Sequence, residues 1–188
     1  SPHVFHWYKK DEYSGPYENL QEWKTFFGDK FSPETIDQLI YSDDKEEKLK
    51  GNTLLKHFKA GNDKEAFEYI VFSKLLEKQL EIDPWDKKEI DYAAVEKSVL
   101  FAEKKRSEVT NETIKLRYAF QLVVMHYYLN NKAEMEKYYK VVQDFPEETV
   151  IKTWAKFYYA NKQNWDKRMY LLAQVFDDSK SKKPELAI

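Results

Sequence analysis

The chain has 188 residues and 34% of them are charged, yet 31 basic and 33 acidic residues nearly cancel to a formal net charge of -2. That balance excludes the broad basic footprint of a nucleic-acid-binding surface or of a protein held electrostatically on an anionic membrane. The absence of cysteine excludes disulfides, thiolate metal sites and a cysteine nucleophile, and no run approaches the ~18 apolar residues of a membrane span.

Aromatic residues make up 16% of the chain, with 14 tyrosines among them. Much of the core must therefore be built from large amphipathic rings whose hydroxyls need partners. Four glycines and six prolines are too few for the tight turns of a sheet protein and suit long helices joined by short breaks. Residues 1–16, SPHVFHWYKKDEYSGP, show no clean period and read as an irregular aromatic arm. Residues 17–27 form a short helix with Leu20, Trp23, Phe26 and Phe27 on one face, ended by Gly28-Asp29.

Ser32-Pro33-Glu34-Thr35 is a helix start, with a Ser cap, Pro at the first helical position and an acid in the first turn. That helix is expected to run to Tyr41. Asp43-Asp44 caps the next, to about Ala60, with Gly51, Leu54, Leu55 and Phe58 at i, i+3, i+4, i+7 and Gly61 placed to close it. A strongly apolar helix follows from Lys64 to about Ile82, stopped by Asp83-Pro84, and Asp86 caps a helix over 87–106. Thr110-Asn111 opens a long helix to Leu129, and the last three helices cover about 132–144, 147–160 and 165–177. The polar tail 179–188 is expected to fray. The expected organisation is an N-terminal arm with two short helices (1–42), a helical-repeat domain (43–178) and that tail.

One hydrophobic pattern occurs twice, 31 residues apart. Phe120, Val123, Val124 and Tyr127 share one helical stripe, and so do Ile151, Trp154, Ala155 and Tyr158. A polar break follows each, at Asn130-Asn131-Lys132 and at Asn161-Lys162-Gln163-Asn164. Second helices match as well, with Met135, Tyr138, Tyr139 and Val142 corresponding to Met169, Leu172, Ala173 and Phe176. The chain here resembles the tetratricopeptide repeats, well over about 113–178 and loosely over 45–81, with Pro146 where that family closes a unit and Tyr158-Tyr159-Ala160-Asn161 like its first-helix end. Val124 departs from the family's preferred Gly, and Met135 and Met169 stand near its small Ala. The expected fold is all-α, a right-handed superhelix of antiparallel helical hairpins. A different helical solenoid and an irregular bundle are the alternatives.

Catalytic patterns are missing from the sequence. His3-x-x-His6 has metal-ligand spacing but no third ligand nearby, so neither a metal nor a cofactor is expected. His57 and His126 sit beside apolar stripes and read as partly buried, hydrogen-bonded imidazoles. The acidic pairs Glu46-Glu47, Glu147-Glu148 and Asp177-Asp178 fall at helix ends, where cap and dipole effects account for them. Asn111-Glu112-Thr113 is formally a glycosylation sequon but is better placed as a helix cap.

Repeated helical hairpins make binding surfaces more often than active sites. The resemblance implies a non-enzymatic scaffold whose first helices line a concave groove. By register the groove-facing residues are Tyr118, Gln121, Met125, Tyr128, Thr149, Lys152, Lys156 and Tyr159. An aromatic groove with two lysines suits a protein or peptide partner bearing a carboxylate or acidic residues. The alternative is a bacterial cell-envelope or secreted protein binding glycan on exposed Trp7, Trp85 or Trp165, or a piece of a longer array. The latter would leave apolar residues exposed at one end. The sequence leaves the oligomeric state open.

Overall fold

The computed structural model describes residues 15–41, 49–81 and 89–178. Within them the protein is all-helical, with nine α-helices, one 3-10 turn and no strand. The helices are α1 (Gly15–Phe27), α2 (Pro33–Tyr41), α3 (Thr53–Lys59), α4 (Lys64–Leu80), α5 (Tyr92–Glu108), α6 (Glu112–Tyr128), α7 (Lys132–Gln143), α8 (Val150–Ala160) and α9 (Trp165–Asp178). The expected caps Asp43-Asp44 and Asp86 and the stop Asp83-Pro84 lie outside the described residues, as do His3, His6, Trp7, Trp85, Glu46-Glu47 and the tail.

Local chemistry sets the boundaries. Asparagine side chains cap four helices: Asn52 Oδ1 accepts from Leu55 N at 2.9 Å, Asn111 Oδ1 from Ile114 N at 3.1 Å, Asn131 Oδ1 from Glu134 N at 3.3 Å and Asn164 Oδ1 from Lys167 N at 3.1 Å. The sequon asparagine is thus a cap. Asp91 does the same for α5, which starts at Tyr92 rather than at 87. Helix α3 starts at Thr53 because Asn52 is its cap, and Thr149 delays α8 to Val150. Helix α1 begins at Gly15, inside the stretch expected to be irregular.

Two helix ends share one motif. After α3, Gly61 N donates to Phe58 O at 2.8 Å and Asn62 N to His57 O at 3.3 Å, with Gly61 at φ +86°. After α6, Asn130 N donates to Tyr127 O at 3.2 Å and Asn131 N to His126 O at 3.0 Å, with Asn130 at φ 55°. Both are Schellman closures, which need a residue that tolerates the left-handed region.

Helix α6 is the centre. It buries Leu116, Ala119, Leu122 and Met125 as well as Phe120, Val123 and Val124 of the expected stripe, so it is apolar on nearly all sides. It packs against α4, α5, α7 and α8, and α8 packs against α1, α6, α7 and α9. The expected core stripes are buried, apart from the half-buried Tyr127, as are Met135, Tyr138 and Val142 of α7. The loosely expected hairpin of α3 with α4 differs: α3 packs on α2 and meets α4 through the Phe58 and Phe67 rings, 5.0 Å apart. Helix α5, which the sequence left unplaced, packs on α4 and α6.

The inward face of α9 also needs correction. Leu171 and Val175 are buried, whereas Met169 and Phe176, matched by register to core positions of α7, are exposed with Ala173. At about 100° per residue the helix is turned by roughly a third of a revolution from the expected orientation. Register alone could not set this, because α9 carries apolar residues on both faces.

Candidate binding site

The inner sides of α4, α6 and α8 enclose a cavity of ≈ 140 Å³ together with α1 and α2. Rings from six positions line it: Trp23 on α1, Tyr41 on α2, Tyr69 on α4, Phe120 on α6, and Trp154 and Tyr158 on α8. Polar groups gather along one side, where Asn19, Tyr41, Lys74, Arg117 and Gln121 reach it. Gln121 Nε2 donates to Tyr69 Oη at 3.1 Å, and Lys74 Nζ donates to the Leu39 and Ile40 carbonyls at 3.1 and 3.2 Å, closing the last turn of α2.

Arg117 holds this wall together at 2% side-chain exposure. Its Nη1 donates to Asn19 Oδ1 at 2.7 Å and its Nη2 to Glu22 Oε2 at 3.0 Å. The guanidinium carbon lies 4.3 Å from the centre of the Trp23 ring, a cation–π geometry. Glu22 Oε1 accepts from Val150 N at 2.6 Å, and Asn19 Nδ2 donates to Tyr41 Oη at 2.6 Å. Burial, opposed by that hydrogen bond, pushes the Tyr41 phenol far above its ordinary range, and Tyr69 is shifted upward for the same leading reason. One charge therefore joins α6 to α1, and through Glu22 to the start of α8.

The eight residues expected to line a groove are divided by the structure. Tyr118 and Met125 are fully buried at 0% exposure. Tyr118 packs edge-on to Tyr69 at 5.2 Å, so neither residue faces a groove. Tyr159 is buried too, stacked on Tyr139 at 4.0 Å with an interplanar angle of 5°. Tyr128 is half-buried against Tyr127, and burial lifts its phenol to about 12. Gln121 alone of the eight reaches the cavity. Thr149, Lys152 and Lys156 line a separate cleft of ≈ 720 Å³ with residues of α1, Gln143 of α7 and Asp178 of α9. Both lysines already have acidic partners, Lys152 with Glu148 at 3.5 Å and Lys156 with Asp178 at 2.8 Å.

The physical cause is that neighbouring helices cover these faces: Tyr118 lies against Tyr69 and Phe72 of α4, and Tyr159 against Tyr139 of α7. The sequence reading missed Asn19, Glu22 and Arg117. The available signal was a lone arginine at i-3 from Phe120 and i-7 from Val124, on the stripe taken as core.

Two other expectations need comment. His57 has the hydrogen bond expected of it, 2.8 Å between Nε2 and Asp63 Oδ2. His126 is buried as expected, but neither of its ring nitrogens has a hydrogen-bond partner. Among the described tryptophans, Trp23 and Trp154 are buried and Trp165 is 70% exposed on α9. Trp165, Met169 and Phe176 form an exposed stripe there at i, i+4, i+11. No helix of the described residues is long and apolar enough to cross a membrane.

Comparison with protein-family models, with curated proteins and with solved structures found no match to this chain.

Proposed function

We propose that this protein is a non-enzymatic helical-repeat scaffold that binds a protein or peptide partner on the inner side of its hairpins. The pocket beneath α1 would accept one aromatic or branched aliphatic side chain of that partner. The observation that carries this reading is the cavity itself: ≈ 140 Å³ is close to the ~150 Å³ that accommodates a benzene ring. Its walls are aromatic and aliphatic, with polar groups among them, the usual composition of a recognition pocket. The packing order supports the repeat reading. Helix α6 packs on both α4 and α5, and α8 on both α6 and α7, as in stacked tetratricopeptide-like hairpins of a right-handed superhelix.

A displayed peptide library selected on the whole chain tests this. The expected result is enrichment of peptides sharing one large apolar residue. Their binding should drop at least tenfold on Ser73→Phe, which places a ring at the half-buried rim of the pocket. Peptides that bind this folded variant as well as wild type would place the site elsewhere and overturn the proposal.

A second reading rests on α9. Its exposed Trp165 and Met169 are flanked by Asp166 and Asp177 as well as by Lys167 and Arg168. This favours an amphipathic helix of a partner protein, packing its apolar face there, as occupant.

A further inference from the structure

On the side of α6 opposite the pocket, three potential ligands converge from three helices. Glu103 of α5, His126 of α6 and Glu134 of α7 each offer a ligand atom, and these atoms all lie within 4.8 Å of one another. His126 is the informative member. It is 5% exposed, and neither of its nitrogens makes a hydrogen bond to any of the described residues. A buried imidazole has one donor and one acceptor to satisfy, and native interiors rarely leave such groups unpaired. Surface histidines beside carboxylates normally close to a direct hydrogen bond, as His57 does with Asp63. His126 faces two carboxylates and bonds to neither.

We propose that Glu103, His126 and Glu134 form a binding site for one divalent transition-metal ion of the Zn²⁺ or Co²⁺ type, which clamps α5, α6 and α7 together. One imidazole and two carboxylates suit such ions, whereas Mg²⁺ and Ca²⁺ favour oxygen-only shells. Ligands on a tetrahedral ion at 2.0–2.2 Å stand about 3.4 Å apart. The spacing here must therefore contract by at most about 1.4 Å, within reach of rotations of two half-exposed glutamates.

The surroundings already have the form of an outer shell. The Tyr138 hydroxyl donates to Glu103 Oε1 at 2.7 Å, and the Tyr138 ring lies parallel to His126, with centroids 5.8 Å apart and an interplanar angle of 4°. Such contacts orient ligands and maintain their charge. Desolvation, only partly opposed by the charges of Glu134 and Glu103, lowers the imidazole pKa. Lys137 is the competitor: its ammonium bonds Glu134 Oε2 at 2.7 Å and lies 4.7 Å from the Tyr138 ring centre. It acts as the counter-charge that the ion would replace.

The test uses the full chain stripped of metal and titrated separately with ZnCl₂ by calorimetry and with CoCl₂ by absorption and proton NMR. The expected result is one ion per chain, with the His126 ring protons the most strongly perturbed by Co²⁺. Glu103→Gln/Glu134→Gln, at half-exposed positions that leave the fold intact by circular dichroism, should weaken binding about tenfold or more. Lys137→Gln should tighten it. No one-to-one binding at about 1 mM Zn²⁺, or a site whose affinity is unchanged in the double glutamine variant, overturns the proposal.

Discussion

Glu22→Ala is the substitution whose cost the structure specifies best. Two losses follow from removing this carboxylate. Val150 N loses its acceptor at the start of α8, at about 1 kcal/mol for one hydrogen bond. Arg117, 2% exposed, keeps Asn19 and the face of Trp23 but loses its only charged partner at hydrogen-bond distance among the described residues. Stranding a buried charge costs about 3–5 kcal/mol. The lower end applies here, because Glu22 itself is 27% exposed and water can enter where it stood. The sum is about 4 kcal/mol, a large share of the ~5–15 kcal/mol that holds a domain of this kind folded. At 2–4 °C per kcal/mol for this chain length, Tm should fall by roughly 8–16 °C.

Sign separates this argument from a simple count of bonds. Glu22→Ala/Arg117→Met deletes the stranded charge as well and should recover part of the loss, so the double variant should be more stable than Glu22→Ala alone. Urea unfolding followed by circular dichroism, with all four members of the cycle, reads this directly. A Glu22→Ala cost under about 1 kcal/mol, or a double variant weaker than the single, would refute the role given to Arg117.

Two further outcomes are expected. Glu65 of α4 accepts from Thr110 N at 2.8 Å, Asn111 N at 2.9 Å and Thr110 Oγ1 at 3.0 Å, tying α4 to the α5–α6 link. Desolvation raises its pKa, but these hydrogen bonds outweigh it and hold the carboxyl below its ordinary value. A depressed carboxyl adds stability at neutral pH that is lost as pH falls through its folded pKa, below about 4.3. Wild type should therefore exceed Glu65→Gln in urea midpoint at pH 7, and the gap should narrow as the carboxyl is protonated in acid; a pH-independent gap would contradict the assignment. On α9, Trp165→Ser/Met169→Ser replaces two exposed apolar side chains. It should change stability by less than about 1 kcal/mol while reducing binding of a hydrophobic dye, and a loss above ~3 kcal/mol would mean these side chains are packed.

Helix content, most helix starts and the core stripes of α6, α7 and α8 were legible in the sequence. They depend on local chemistry: Asn and Thr caps, left-handed Gly61 and Asn130, and apolar residues at i, i+3, i+4, i+7. The cap that starts α5 was misplaced because Asp86 and Asp91 both fit the local pattern and the period of that helix is weak. The orientation of α9 and the placement of α1 depend on which faces find partners far along the chain. No local rule distinguishes two apolar faces of one helix. Tyr118 and Met125 looked like groove residues by register and became core because α4 and α5 cover the α6 faces that a regular hairpin pair would leave open.

By itself the sequence determined an all-helical chain with aromatic stripes and no catalytic pattern, since these follow from composition and from spacing along one helix. Tertiary structure alone decided where the charges go. It set Arg117 opposite Asn19 and Glu22, nearly 100 residues away, and gathered Glu103, His126 and Glu134 from three helices. Polar side chains acquire a role inside a protein through the partners that burial leaves within reach, and those partners are fixed by packing between helices rather than by order along the chain.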